Sequence, residues 1–320
     1  MNKKYDCVVC GTCTVDILVK PVDLQQPLGG DRLYLVEPIH ATTGGIVANA
    51  GMALAKLGNR TAAMTGTGRD AWSEIILQRF TAADVDPVGV IQIEGQSTST
   101  TIVLIDAGGQ RSFAHTPGAP AQLDAEFFES QFELLENSRA VLLGYYSLLP
   151  ALEPDLADLF RRLRMAGCLT ALDSAGSGGT MEPLAKILPH LDVYFPSFEE
   201  ARNQTGRNDP QEMIEVFRSC GSTGILGVKL GAQGVALSES PGKFQLVGAI
   251  EPPGPIADTT GAGDAFFAGL MTGILRGMST LASTKLGTAV ATISITGLGA
   301  STALPTLDQA TSLCSSEFPN

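Results

Sequence analysis

The segment Asp258-Thr259-Thr260-Gly261-Ala262-Gly263-Asp264-Ala265-Phe266 is the most informative in the chain. Its small residues at 261–263 let the backbone approach a ligand closely. An apolar run follows directly, so the segment predicts a glycine turn leading into a helix over 263–275. The free N–H groups and the positive dipole end of such a helix suit phosphoryl oxygens. Asp264 falls in the first turn, where it could take a proton from an attacking hydroxyl or could simply cap the helix.

Upstream of this segment, short apolar strands alternate with helical stretches. Several strands are apolar throughout, which is typical of a parallel sheet covered on both faces. The pattern predicts an α/β fold with a doubly wound, mostly parallel sheet, and a hairpin over 235–239 and 244–248. The predicted strands of the core are residues 6–11, 61–65, 140–144, 169–173, 193–195 and 225–230. The predicted helices are residues 48–57, 71–82, 153–165, 198–205, 211–219, 263–275 and 280–296.

Two regions interrupt this alternation with strand-like segments that no helix separates. They are residues 32–40 and, further along, residues 89–93, 98–105 and 112–116. We interpret them as a small inserted β-sheet that acts as a lid, because strands connected in this way form antiparallel sheets. The expected domains are an α/β core of residues 1–15, 41–88 and 117–310, a lid subdomain of residues 16–40 and 89–116, and a C-terminal tail of residues 311–320.

Composition excludes some classes of function. The 320 residues include 21 Lys plus Arg against 33 Asp plus Glu, a formal net charge of −12. This balance argues against nonspecific nucleic-acid binding, which relies on basic surface. No apolar stretch approaches eighteen residues, so a membrane span is not expected. No targeting signal is apparent either, so the expected location is cytoplasmic.

Three cysteines near the start, Cys7, Cys10 and Cys13, form a C-x-x-C-x-x-C pattern that could suggest a metal or cluster site. The strand predicted there places Cys7 and Cys10 on opposite faces. No second Cys/His group follows at metal-ligand spacing. Buried, reduced thiols of a cytosolic protein are the favoured interpretation.

A different class of enzyme is suggested by Gly66-Thr67-Gly68-Arg69-Asp70-Ala71, which fits the dinucleotide fingerprint G-x-G-x-x-A after a strand. Asp84 and Asp86 lie at about the right distance downstream for a ribose contact. The match lies at the second core strand rather than the first, which weakens this dehydrogenase alternative. No G-x-x-x-x-G-K-[ST] loop occurs, so a P-loop ATPase is disfavoured.

The segment at 258–264 resembles the C-terminal signature of the ribokinase-like carbohydrate kinases, the phosphofructokinase B (PfkB) family. Four other segments resemble the family's glycine signature, its first strand with the substrate-binding Asp, its nucleotide-side glycine turn and its N-x-x-E segment. In the same order, these segments are residues 44–49, 11–16, 228–234 and 196–201. Residues 118–120 resemble its G-A-N segment. Ser197 and Pro120 stand where the family has Asn. The resemblance spans roughly residues 5–305.

This resemblance implies a kinase that transfers the γ-phosphoryl group of ATP to a sugar hydroxyl, with Mg²⁺ and, as an open question, a monovalent cation as cofactors. Asp264 would be the general base, Asp258 would brace the turn, and Glu200 would organise Mg²⁺ through water. The anion hole would consist of Gly261, Ala262 and Gly263. Substrate contacts would come from Asp16, Gly44, Gly45, Asn49 and Arg111, and nucleotide contacts from Lys229, Gly231, Gly234 and Ser197.

Several alternatives stay open within this resemblance. Lys229 could instead extend to solvent, and Arg111 could be solvated. The acceptor could be a nucleoside, as in adenosine-type kinases, and the losses at Ser197 and Pro120 leave a non-catalytic sugar-binding relative as a further alternative. Arg32 and Arg111 are the only obvious lid cations, which favours an unphosphorylated acceptor. We also expect a homodimer through the lid, whose strand edges need covering.

Overall fold

The computed structural model describes residues 3–25 and 29–317. The parts of the expected domains that fall on residues 1–2, 26–28 and 318–320 lie outside the described residues. The strands are β1 Tyr5–Gly11, β2 Thr14–Val19, β3 His40–Gly44, β4 Thr61–Thr67, β5 Val85–Gln92, β6 Thr100–Ile105, β7 Arg111–Thr116, β8 Ser138–Gly144, β9 Leu169–Leu172, β10 Val193–Tyr194, β11 Ile225–Lys229, β12 Val235–Ser238 and β13 Gln245–Val247.

The helices mostly alternate with these strands along the chain. They are α1 Ile46–Lys56, α2 Ala71–Ala82, α3 Ala125–Ser130, α4 Phe132–Glu136, α5 Leu156–Met165, α6 Met181–Ile187, α7 Phe198–Thr205, α8 Pro210–Ser219, α9 Ala262–Leu275, α10 Thr280–Ser294 and α11 Leu307–Glu317. Helix α9 begins within one residue of its predicted start at the glycine turn.

The large sheet has the strand order β13-β12-β11-β10-β9-β8-β1-β4-β5. All neighbouring strands from β11 to β5 pair in parallel, while β12 and β13 add an antiparallel hairpin at one edge. The predicted doubly wound, mostly parallel sheet and its hairpin are therefore confirmed.

Both faces of this sheet are covered, which explains the uninterrupted apolar strands. In β1, Cys7 and Val9 face one buried cluster together with α1, α9 and α10, while Val8 and Cys10 face the other together with α5 and α8. Cys7, Cys10 and Cys13 are buried free thiols, and the first two lie on opposite faces as predicted. Among residues 3–25 and 29–317, no group of three or more His, Cys, Asp or Glu could hold a metal ion.

A second, smaller sheet, which we call the lid sheet, has the order β3-β2-β6-β7. Its role as a lid stays a prediction. The sheet is not antiparallel throughout, contrary to the prediction, because β2 pairs with β6 in parallel. The residues that form it also differ from the predicted ones in three ways. Residues 32–39 do not form a strand, and strand β3 begins only at His40. Residues 14–15 and 41–44, assigned to the core, belong to strands β2 and β3 of this sheet. Residues 89–92, assigned to the lid, lie in β5 of the large sheet.

Packing explains these differences. Leu33 and Leu35 are 86% and 87% exposed, so their alternation buries no apolar face and stabilises no strand. Gly89 packs closely against β4, since a Cβ placed on it would lie 2.8 Å from the Ala63 carbonyl oxygen. The absence of a side chain at Gly89 therefore permits β5 to pack closely beside β4 in the large sheet.

The C-terminal segment is helical rather than a tail over its described part. Residues 311–317 form the second half of α11, and Leu313 and Cys314 pack against the core. Within the described residues, no helix is both long and apolar enough to cross a membrane.

Candidate active site

The glycine turn at 261–263 lies at the start of α9 and is shaped by its neighbours. Gly261 has φ 74°, a left-handed conformation that glycine adopts without strain. A Cβ on Gly261 would lie 2.4 Å from the Ala300 Cβ, so a side chain would also collide. The turn lies where the helix dipole is positive, which favours an anion. Of the three residues predicted for the anion hole, Ala262 already donates its N–H to the Thr259 carbonyl oxygen at 3.3 Å.

Asp264 lies in the first turn of α9 and is only 2% exposed. Its Oδ2 accepts hydrogen bonds from Asn49 Nδ2 at 2.8 Å and from the Tyr145 hydroxyl at 2.9 Å. Burial raises the pKa of Asp264, and these two hydrogen bonds oppose the rise. Both bonds fall on Oδ2, so Oδ1 is the oxygen left to accept a proton from a substrate.

Asn49 comes from α1, which begins after the paired glycines. Gly45 has φ 78°, and a Cβ there would lie 2.6 Å from the Thr12 carbonyl oxygen. A Cβ on Gly44 would lie 2.1 Å from Asp16 Oδ2, so the glycine leaves space for that carboxylate. Asn49 Oδ1 is buried without a hydrogen-bond partner in the described structure. A ligand hydroxyl could satisfy it, because unsatisfied buried acceptors are costly.

A cavity of about 220 Å³ lies between the lid sheet and the segments on either side of the glycine turn. Its polar lining includes Asp16, Thr101 and Arg111, while Val103 and Phe113 contribute apolar surface. Burial raises the pKa of Asp16 to about 6, and a hydrogen bond from Thr101 opposes this rise. A carboxylate in such a cavity is suited to accept hydrogen bonds from sugar hydroxyls.

Arg111, at the start of lid strand β7, reaches the segment before the glycine turn. Its Nη2 lies 2.6 Å from Asp258 Oδ1, and its Nη1 donates to the Thr260 hydroxyl. Asp258 also accepts from Thr260 N at 2.8 Å and from Gly299 N at 2.9 Å. Asp258 thus links the segment before the glycine turn to Gly299, and its role in the anion site stays a prediction. Arg111 is paired rather than freely solvated. Substrate contact by Arg111 stays a prediction.

Lys229 ends β11 and does not extend to solvent. Its side chain is 15% exposed, and its Nζ donates to Asp173 Oδ1 at 2.9 Å. The same Nζ lies 4.9 Å from the centroid of the Phe267 ring. A Cβ on Gly263 would lie 3.2 Å from this Nζ, so the ammonium group adjoins the glycine turn. The alternative of an outward-pointing lysine is wrong, because Asp173 holds the cation inside.

Asp173 follows β9, and its pKa depends on the neighbouring charges of Lys229, Glu200 and Asp264. Burial raises the pKa of Asp173 to about 7, although Lys229 lowers it; Glu200 and Asp264 raise it further. Burial would lower the pKa of Lys229, but Asp173 and Glu200 raise it above the usual value. The lysine therefore stays charged at neutral pH.

Ser197 and Glu200 form a capping box at the start of α7. Ser197 N donates to Glu200 Oε2 at 2.7 Å, and Glu200 N donates to Ser197 Oγ at 3.4 Å. One carboxylate oxygen of Glu200 is therefore engaged, which leaves the other for a water molecule. Ser197 acts as a helix cap here, and a nucleotide contact from it stays a prediction.

Gly231 and Gly234 lie in the tight turn after β11. Both have positive φ, 59° and 93°, and a Cβ on Gly234 would lie 2.1 Å from the Val247 carbonyl oxygen. Gly234 is thus needed for the hairpin to pack. Nucleotide contacts from both glycines stay predictions.

The loop that fits the dinucleotide fingerprint is closed by Asp70 from the loop itself and by Thr98, which precedes β6. Gly68 N donates to Thr98 Oγ1 at 2.9 Å, and Asp70 Oδ1 accepts from Ser73 N at 3.1 Å. A carboxylate thus occupies the helix start where a pyrophosphate would bind. This arrangement disfavours the dehydrogenase alternative.

Sequence reasoning missed Tyr145 and Asp173. Each is the first residue after a core strand, β8 and β9 respectively. Position was the available signal, because ligands bind at the carboxyl ends of strands in open α/β sheets.

The chain matches the model of the pfkB family of carbohydrate kinases over residues 4–307. It is 23% identical over 320 residues to an ATP-dependent 6-phosphofructokinase of Thermoanaerobacterium thermosaccharolyticum, covering 96% of this chain and 93% of that protein. It is 29% identical over 290 residues to an aminoimidazole riboside kinase of Salmonella typhimurium, covering 85% and 88%.

Among solved structures, Arabidopsis thaliana ribokinase in complex with ribose and ATP superposes with a TM-score of 0.84. The two are 22% identical, and the match covers 97% of this chain and 98% of the ribokinase chain. The fold is thus ribokinase-like. The family match covers nearly the whole chain, and we conclude that the protein belongs to the pfkB family of carbohydrate kinases, phosphotransferases that act on a sugar hydroxyl.

Proposed function

We propose that this protein transfers the γ-phosphoryl group of ATP to a hydroxyl of an unphosphorylated sugar, with Asp264 as the general base. One observation carries the proposal: a buried carboxylate and a buried ammonium group, Asp264 and Lys229, both adjoin the glycine turn at 261–263. A base beside an anion site is the arrangement that phosphoryl transfer to a hydroxyl requires.

The acceptor hydroxyl would donate its proton to Asp264 Oδ1 as its oxygen attacks the γ-phosphorus. The bond between the γ-phosphorus and the bridging oxygen breaks, and its electron pair leaves with ADP. The N–H groups of the turn and the Lys229 ammonium would stabilise the charge on the phosphoryl oxygens. Asp16 and Asn49 would hold the other sugar hydroxyls, and the lid would exclude water.

The residues present fit a Mg²⁺ ion that arrives on ATP. Mg²⁺ usually keeps several waters and takes one or two carboxylates besides substrate phosphates. Glu200 has one oxygen free of the capping box, which suits a water-mediated contact. When bound, Mg²⁺ would neutralise phosphate charge. The monovalent cation stays a prediction.

Glu200→Gln should weaken the apparent affinity of the enzyme for Mg²⁺ with little change in melting temperature. Gln can keep the capping box but loses the charge. We expect the Mg²⁺ concentration for half-maximal rate to rise severalfold in a titration at fixed ATP. The matched control is Glu199→Gln, whose exposed carboxylate pairs with Arg202 on the same helix. If the two variants titrate alike, Glu200 has no role with the metal.

The acceptor is proposed to be uncharged because Arg111 is already paired with Asp258. A phosphorylated sugar would need a cation that is not so engaged. A nucleoside acceptor is the second candidate, favoured by the apolar cavity wall at Val103 and Phe113, which could contact a base.

A panel of sugars, sugar phosphates and nucleosides with MgATP, followed by ADP release, tests this function. We expect turnover with at least one unphosphorylated sugar. ATP binding by calorimetry without ADP release from any acceptor would instead favour the non-catalytic sugar-binding alternative. Preference for a sugar phosphate would contradict the proposed role of Arg111.

We also propose that the protein forms a homodimer through the lid. Leu33, Leu35, Ile39 and Phe113 are exposed on or beside the lid sheet. Covering such apolar side chains favours association, and a second copy would also cover strand edges.

A further inference from the structure

Tyr145 occupies an unusual backbone conformation directly after β8. It has φ 59° and ψ 40°, in the left-handed region that aromatic residues rarely adopt. Its N donates to the Asp173 carbonyl oxygen at 3.1 Å, which ties this conformation to the neighbouring strand. Uncommon backbone conformations persist where the surroundings hold them, and they cluster at functional sites.

In this conformation the Tyr145 hydroxyl lies 2.9 Å from Asp264 Oδ2, although the two residues are 119 positions apart in the chain. Asn49, from helix α1, donates to the same oxygen at 2.8 Å. Two donors on Oδ2 fix the rotation of the carboxylate, and that rotation decides where Oδ1 points.

We propose that Tyr145 is a positioning residue for the general base: its hydroxyl holds Asp264 Oδ2 so that Oδ1 faces the acceptor hydroxyl. This inference rests on the proposed function of Asp264. It adds a residue that no motif in the sequence indicates.

The charges around Asp264 support this role. Burial raises the pKa of Tyr145 well above its usual value, and the nearby carboxylate of Asp264 raises it further. The hydroxyl therefore remains a donor throughout the working pH range. Its hydrogen bond opposes the burial that raises the pKa of Asp264. The other groups that act on Asp264 are Asn49 from α1, Lys229 from β11, Glu200 from α7 and Asp173 after β9.

Tyr145→Phe removes only this hydroxyl. We expect kcat to fall about 10-fold with little change in KM, because a hydrogen bond to a charged group is lost from the reacting centre. Without the donor, the pKa of Asp264 rises further. The acidic limb of the kcat profile, where Asp264 becomes protonated, should therefore move to higher pH.

The matched control is Tyr146→Phe at the next position. The Tyr146 hydroxyl is also buried, but it donates to the Gly178 carbonyl oxygen at 2.6 Å and not to Asp264. Losing it should lower the melting temperature and leave the pH profile unchanged. A shift in Tyr145→Phe alone would therefore report on the base rather than on general stability.

A second readout does not depend on turnover. The ¹³C carboxyl resonance of Asp264, assigned from its disappearance in Asp264→Asn, can be titrated in wild-type protein and in Tyr145→Phe. We expect a higher pKa in the variant. An unchanged titration overturns the positioning role, whether or not the protein turns over. A different outcome contradicts the proposed function instead. In that outcome the wild-type protein releases no ADP with any acceptor, although the pKa of Asp264 is still higher in Tyr145→Phe than in wild type.

Discussion

Asp264→Asn is expected to lower kcat by about 10²–10⁴-fold, the usual contribution of a general base. That corresponds to roughly 3–5 kcal/mol of activation free energy. The amide oxygen can still accept from Asn49 and Tyr145, so the side chain should keep its place. It cannot take the proton of the attacking hydroxyl. Single-turnover and steady-state ADP release would measure the loss.

The affinity for ATP should change little in Asp264→Asn, because the N–H groups of the turn belong to the backbone. A matched control is Asp124→Asn, which makes the same chemical change at the start of α3. There the Asp124 carboxylate accepts from Phe127 N at 2.9 Å, and Asn is an equally good cap. Near-normal turnover in a folded Asp264→Asn protein would mean that Asp264 is not the base and only ties α9 to Asn49 and Tyr145, since its side chain makes no capping hydrogen bond at the start of α9.

Local sequence predicts the parts of this site that are contiguous in the chain. The glycine turn, Asp264 and the apolar start of α9 lie within one segment, so small size, charge and periodicity indicate both structure and chemistry. Core strands such as β1 and β8 are equally predictable from sequence, because strands that are buried on both faces of the sheet consist of uninterrupted apolar residues.

Local sequence does not predict the parts of the site that come together only because strands distant in sequence lie close in the sheet. Tyr145 and Asp173, which were missed, directly follow strands β8 and β9, and helix α5 separates these strands in sequence. Lys229 at the end of β11 was indicated only by the family resemblance. The three residues meet because these strands lie near one another in the sheet and share their carboxyl edge. The strand predicted over residues 32–40 was wrong for a different reason. Alternating apolar residues do not form a strand when their side chains have no apolar surface to pack against.

Lys229→Met is expected to destabilise the protein by about 3–5 kcal/mol at pH 8, because Asp173 would be left buried without its cation. The native pKa of Asp173 is about 7, against ~3.9 in an unfolded chain. The native state therefore binds this proton more tightly, and the group's contribution to stability falls as pH rises from about 4 to 7. Without Lys229 the pKa of Asp173 rises further, which extends this fall to higher pH. Urea unfolding should show a larger deficit at pH 8.5 than at pH 6.

The double variant Lys229→Met/Asp173→Asn separates stability from catalysis. Replacing both members of a buried ion pair by neutral groups is often close to neutral. Stability should therefore return to within about 1–2 kcal/mol of wild type, without the extra loss between pH 6 and 8.5 that the unpaired Asp173 carboxylate causes in Lys229→Met. Turnover should stay low, by about 10²–10³-fold, because the ammonium group beside Gly263 would no longer stabilise the transferring phosphoryl group. A stable double variant with wild-type kcat would show that Lys229 serves the fold alone, and the anion site would then consist of the backbone of the turn.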